Sequence, residues 1–160
     1  MSPDPLQALA ALAAPGQPEA TYRRVDEMIQ DRVGHIQLTL LLVDGADVAR
    51  VYSTDHDAYP VGGRKPMGPT PWGEKVLTRQ EVFLGRTAAD MEWAFFDHAK
   101  IMALGQGSII CAPVVYNGVT LGTIISSHRE LFYTQEHVAP VAELAPLLIP
   151  AFLLARHALT

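Results

Sequence analysis

Apolar residues recur at helical spacing twice before any strand signal appears. Leu6 to Ala14 reads as a short helix that Pro15, Gly16 and Pro18 bring to an end, and Tyr22, Val25, Met28, Ile29 and Val33 mark one face of a longer helix over Pro18 to Val33. The period then changes. Ile36 to Val43 is a run of β-branched and aliphatic residues, Asp44-Gly45 is a turn signal, and Val48 to Ser53 reads as a second strand. Asp55 to Thr70 reads as loop, since Pro60 and Pro66 remove ladder donors and Gly62-Gly63 loosens the backbone. Thr70-Pro71 supplies a cap and a first-turn proline for a short helix carrying Trp72, Val76 and Leu77. After a brief strand at Val82 to Leu84, the stripe Met91, Phe95, Ile101, Met102 and Leu104 predicts a helix over Ala88 to Leu104, stopped by Gly105. Ile109 to His128 reads as a hairpin about Asn117-Gly118, and Thr134, with Glu136 in the first turn, caps a last helix that reaches His157.

This order of elements predicts one antiparallel sheet with helices on both faces, an α+β sandwich. The whole of 1–160 reads as a single domain: N-terminal helices over 1–33, sheet and pocket elements over 36–128, and a C-terminal helix over 134–158. Val138 to Ala155 has the length of a membrane span, but Glu143 and three prolines (Pro140, Pro146 and Pro150) favour a kinked helix that is buried or forms a dimer. No membrane association is expected.

Composition narrows the function classes. With 49% hydrophobic and 18% charged residues, the 160-residue chain can build a core, and disorder is excluded. A net charge of −5 without a Lys/Arg cluster argues against nucleic acid as a partner; Arg23-Arg24 and Arg64-Lys65 read as ordinary surface pairs. The single cysteine, Cys111, excludes an internal disulfide and Cys-based zinc sites and fits a cytoplasmic protein. Asp4 between two prolines stands where a secretory leader would be basic. The run Asp55-His56-Asp57 offers three donors, but consecutive residues rarely converge on one ion, so no metal site is expected.

The hairpin holds Cys111 near one end and His128 at the other. A two-residue turn at Asn117-Gly118 sets Cys111 opposite Ile124 and on the face of Ser126 and His128. A three-residue loop sets it opposite Thr123, on the face of Ile109, Ile125 and Ser127. In either register the thiol and the imidazole stand about 13 Å apart along the sheet, too far for a nucleophile–base pair. Cys111 therefore reads as a small buried thiol, and no catalytic residue is assigned.

Gly107 to Ser127, GSIICAPVVYNGVTLGTIISS, followed by LFYTQEHVAPVAELA, resembles the second half of a GAF domain: a Pro-containing strand, a Gly-bearing turn, a Leu-Gly-Thr strand, and an aromatic-Thr-x-Glu entry to the final helix. The likeness extends back through Thr70-Pro71-Trp72-Gly73 and Leu104-Gly105, and is nearest to small stand-alone bacterial GAF proteins. It implies a GAF-like (PAS/profilin-like) six-stranded antiparallel sheet, with the terminal helices on one face and short helices and loops roofing a pocket on the other. It also implies a homodimer through the terminal helices, which polar replacement of Leu148 and Phe152 would test.

The resemblance does not name a ligand. SSHRELFYTQEH keeps Phe132 but lacks the Asn-Lys and Asp-Glu pairs of cyclic-nucleotide GAF domains, and the Asp-Ile-Pro stretch of bilin binders is missing. The cysteines of free methionine sulfoxide reductases would fall near Trp72-Gly73 and before Gly105, and their substrate-holding carboxylates at Ile109, Ile125 and Ser127; this chain has neither set. The expectation is a non-catalytic small-molecule-binding or sensory protein without a predicted cofactor. The alternatives are an interaction module with a collapsed pocket, or a reductase-like enzyme. The resemblance favours the three-residue loop and puts Ile109, Cys111, Ile125 and Ser127 on the pocket floor. Trp72 and Asp97 come from the roofing elements. Tyr52, and Arg64 as a bidentate anion clamp, complete the candidate ligand-binding set.

Overall fold

The computed structural model describes residues 5–159; Asp4 and the other terminal positions lie outside it. A short helix, α1 (Pro5–Ala8), runs into a 3₁₀ turn (Leu9–Ala13), and α2 spans Glu19–Arg32. Six strands follow: β1 (Gln37–Asp44), β2 (Asp47–Ser53), β3 (Arg64–Pro66), β4 (Phe83–Gly85), β5 (Ser108–Tyr116) and β6 (Val119–His128). They form one antiparallel sheet in the order β3-β2-β1-β6-β5-β4. Between β3 and β4 lies a π-helical turn (Gly73–Thr78), its entry capped by the Thr70 hydroxyl, which accepts the Gly73 N–H at 2.9 Å.

Three elements differ from the sequence reading. The loop 55–70 contains the edge strand β3, where a terminal proline is tolerated because its outer side has no partner. The expected helix over Ala88 to Leu104 is two helices, α3 (Ala88–Ala94) and α4 (His98–Ala103). Phe95 between them is extended (φ −133°, ψ 135°); the six-residue step from Phe95 to Ile101 breaks the 3–4 spacing of the stripe, and Phe95 turns inward while Phe96 stays 88% exposed. The C-terminal helix is divided into α5 (Val138–Ala142), a 3₁₀ turn (Ala145–Leu148) and α6 (Ile149–Ala158), because each proline removes a helical donor and crowds the preceding turn.

The hairpin follows neither register considered above. Asn117 and Gly118 have φ of 53° and 75°, the left-handed pair of a two-residue turn, and Tyr116 stands opposite Val119. A bulge then consumes Leu121, so Val114 pairs with Gly122 and Cys111 with Ile125. The extra residue restores Cys111 to the face of Ile109, Ile125 and Ser127. His128 stands opposite Ser108, three residues from Cys111, and the two side chains leave the sheet on opposite faces.

The helix side of the sheet is the main core. Leu38, Leu40, Leu42, Ile110, Val114 and Ile124 meet Tyr22, Met28 and Ile29 of α2, and Leu148 and Phe152 of the C-terminal segment. Leu148 and Phe152 are completely buried, so they are core residues and do not belong to a dimer face; Leu154 (47% exposed) and Leu159 (49%) point outward instead. Gly122 is where β6 lets the C-terminal helix approach: a Cβ there would lie 2.6 Å from the Phe152 ring and clash with the Leu41 carbonyl. The segment 135–158 is long and apolar enough by composition for a membrane span, and in this fold one side of it is laid against the sheet.

Candidate ligand-binding site

The opposite side of the sheet carries a second, smaller apolar cluster of Leu41, Val48, Trp72, Phe83, Met91, Phe95, Ile109 and Cys111. Over it opens a cavity of about 510 Å³, walled by Tyr59, Trp72, Phe95 and Phe96 and by the charged residues Arg50, Lys65, Asp97 and Lys100. Its inner end continues into a compartment of about 70 Å³ bounded by Gln37, Thr39, Gln106, Ile109, Ile125 and Ser127. Arg50, Tyr59, Lys65, Phe95 and Asp97 border both spaces, so they form one site with an aromatic mouth and a polar floor.

Strand alternation puts each of these groups in place. The bulge between Leu40 and Leu41 takes up Val51, so Arg50 faces the cavity while Tyr52 faces α2. On β3, Lys65 stands opposite Val48 of the pocket-side cluster and points inward, whereas its neighbour Arg64 points out. The floor is a closed polar network: Gln106 donates to the Gln37 side chain at 2.6 Å, and the Ser127 hydroxyl donates to Gln106 at 2.8 Å.

The mouth is less complete. Arg50 sits 5.0 Å from the Tyr59 ring centroid, Lys65 5.2 Å from Trp72 and 5.4 Å from Phe95, and Lys100 4.3 Å from the other partner it shares with Arg50, Tyr59. One Arg50 nitrogen donates to the Pro60 carbonyl at 3.1 Å, while its buried Nε and the buried Tyr59 hydroxyl have no hydrogen-bond partner. Burial lowers the Lys65 pKa below its ordinary value despite the nearby Asp97, and burial also lowers that of Arg50. Burial pushes the Tyr59 phenol up to about 12. Unpaired charge in such surroundings is costly unless a partner arrives.

A family model described as GAF domain matches residues 19–151. The chain belongs to the GAF domain family. Solved structures agree on the fold. The GAF domain of a two-component sensor histidine kinase from Bacillus halodurans has a TM-score of 0.74 at 12% identity, over 90% of this chain and 99% of that one. The GAF domain of a phosphoenolpyruvate-protein phosphotransferase from Coxiella burnetii gives 0.74 at 18%, over 96% and 95%. Free methionine-R-sulfoxide reductase from Neisseria meningitidis, in complex with its substrate, gives 0.71 at 15%, over 96% and 89%. Among curated proteins, none matches the chain.

Of the residues expected to bind a ligand, this GAF domain brings Trp72, Asp97, Ile109, Ile125 and Ser127 around the cavity. Two others are elsewhere. Tyr52 lies on the helix side, where its hydroxyl donates to Asp26 of α2, and Arg64 is at the sheet edge, ion-paired with Asp44 and near Asp47 at 3.7 Å. Cys111 is on the pocket side but sealed within the apolar cluster, and burial pushes its thiol up to about 12 against smaller opposing influences from Trp72 and Lys65. Both the burial and the raised pKa oppose formation of a thiolate there. Sequence reading missed Arg50, Lys65 and Tyr59. Lys65 lies on β3, in a stretch read as loop, so the alternation that sends Arg64 and Lys65 to opposite sides was hidden; Arg50 depended on an unforeseen bulge.

Proposed function

We propose that this chain is a non-catalytic sensory GAF protein that binds a small molecule in the cavity above β1, β2 and β6. The observation that carries this reading is the open space of about 510 Å³ between Trp72, Tyr59 and the sheet, within the size range of ligand sites. A filled pocket face, as an interaction module with a collapsed pocket requires, is not what the side chains form. A reductase-like activity lacks a reactive thiol, because Cys111 is buried and held protonated. A cytoplasmic location and a homodimer through the terminal helices belong to the same proposal; the outward Leu154 of α6, with Leu159 just after it, supports the dimer.

The test is native mass spectrometry of freshly purified protein, alongside a Trp72→Ala variant. A bound small molecule present in the wild type and lost in the variant supports the reading. A wild-type protein that carries nothing, and whose thermal melting no compound in a metabolite set raises, refutes it.

A further inference from the structure

Resting on that reading, we infer that the ligand is a small planar organic carboxylate, gripped by Arg50 and Lys65 and stacked in the aromatic mouth. The charges around the cavity are three cations (Arg50, Lys65 and Lys100) against one carboxylate, Asp97. None of the three forms a salt bridge with Asp97 within 4.0 Å among the described residues, so the site holds positive charge without a direct counterion.

A cationic guest is disfavoured by the same geometry. The aromatic faces that would receive it are already used by the protein's own cations, Arg50 and Lys100 on Tyr59 and Lys65 on Trp72 and Phe95. An incoming cation would meet three like charges; an incoming anion would relieve them.

Arg50 indicates what kind of anion fits. One of its terminal nitrogens is committed to Pro60, and its Nε is buried without a partner; once the side chain turns the edge of Nε and the other terminal nitrogen to the cavity, that edge matches the two oxygens of a carboxylate. Tyr59 borders the same space, and its buried hydroxyl has no partner of its own. Asp97 borders both spaces and offsets one of the three cations, so the single charge of a carboxylate is enough for the Arg50–Lys65 pair, and phenyl phosphate tests whether a dianion does better. Phe96, which lines the cavity and carries none of these cations, together with the ring edges of Trp72, Tyr59 and Phe95, suits a flat apolar body.

The experiment uses the full chain and four probes built on one phenyl ring, the planar isosteres benzoate and benzamide with benzylamine and phenyl phosphate, titrated by calorimetry and by Trp72 indole NMR shifts. Benzoate should bind at least about tenfold more tightly than benzamide, the effect of roughly one charge-assisted contact. That preference should vanish in Lys65→Met and in Arg50→Gln, and survive in Lys65→Arg, with circular dichroism showing each variant folded. Benzamide or benzylamine binding as well as benzoate, or a benzoate preference unchanged in both Lys65→Met and Arg50→Gln, overturns the charge assignment while leaving the pocket reading in place. Tighter binding of phenyl phosphate overturns the carboxylate. If none of the four binds and none shifts Trp72, this inference fails, while the pocket reading is decided separately by the native mass spectrometry and thermal melting described above.

Discussion

On one side of β1, Leu38, Leu40 and Leu42 are completely covered by α2 and the C-terminal segment; on the other, Gln37 and Thr39 look into a cavity. The same alternating strand serves both. Several polar groups between strands and helices on the covered side are matched, although the buried Tyr22 hydroxyl and His35 Nδ1 have no partner: the Tyr133 hydroxyl donates to the Gly34 carbonyl at 2.6 Å and meets Ser126 at 2.7 Å, and Asp26 accepts from both His35 and Tyr52. On the open side two cations and a phenol are half-withdrawn from water without a direct anionic partner. One side is built for stability, and the other holds unfinished interactions that a ligand can complete.

The largest test of that contrast is a pair of truncations. Phe152→Ala should destabilise the fold by about 3–5 kcal/mol, whereas Phe95→Ala, on a wall that already borders empty space, should cost roughly half as much. Urea unfolding of both variants measures the difference, and equal losses would erase the distinction. Next in size, Gly122→Ala should cost about 1–3 kcal/mol by forcing a methyl against Phe152 and the Leu41 carbonyl. An unchanged melting temperature would show that the helix can back away at no cost.

Asp26→Asn probes the covered side's polar cluster and should lose about 1–3 kcal/mol. Burial pushes the Asp26 carboxyl up, but hydrogen bonds from His35 and Tyr52 outweigh it and hold the carboxyl below its ordinary value of 3.8. Its stabilisation is therefore present above that value and is lost as pH falls through the lower folded one. Acid titration of stability should be flatter in the variant; parallel curves would remove Asp26 from the account. The smallest effect belongs to Lys65→Met. Without ligand it should leave stability unchanged or raise it by about 1 kcal/mol, because a poorly paired ammonium gives way to an apolar chain. Burial lowers the Lys65 pKa, so the unfolded chain holds its proton more firmly, and wild-type stability relative to the variant should rise as pH climbs toward 10.5. A loss above 1 kcal/mol at neutral pH would mean that Lys65 is structurally satisfied.

Periodicity carried most of the architecture. The spacing of Tyr22, Val25, Met28 and Ile29 marked the covered face of α2, and the aliphatic run after Ile36 marked β1. The pocket floor of Ile109, Ile125 and Ser127 came from the family resemblance, because strand parity alone left two registers of the hairpin open. What escaped the sequence were local departures from period two. Strict alternation would set Arg50 and Tyr52 on one face; the bulge at Val51 sends Tyr52 to the helix side and leaves Arg50 at the cavity, and the unforeseen strand β3 turns Lys65 inward and Arg64 out. A one-residue irregularity is invisible to composition, yet it decides which neighbour meets a ligand.

Leu121 has the same arithmetic. Counting residues around the hairpin, one extra in β6 has the same effect on facing as one extra in the turn, since only odd or even matters to the floor. Lengthening the Asn117-Gly118 turn by one residue while deleting the bulge would leave Ile109, Cys111, Ile125 and Ser127 where they are. An insertion between Gly122 and His128 has no such compensation and would turn the floor inside out. The hairpin thus tolerates indels at its tip and forbids them along its base, and it marks where a loop or a reporter can be grafted without disturbing the cavity.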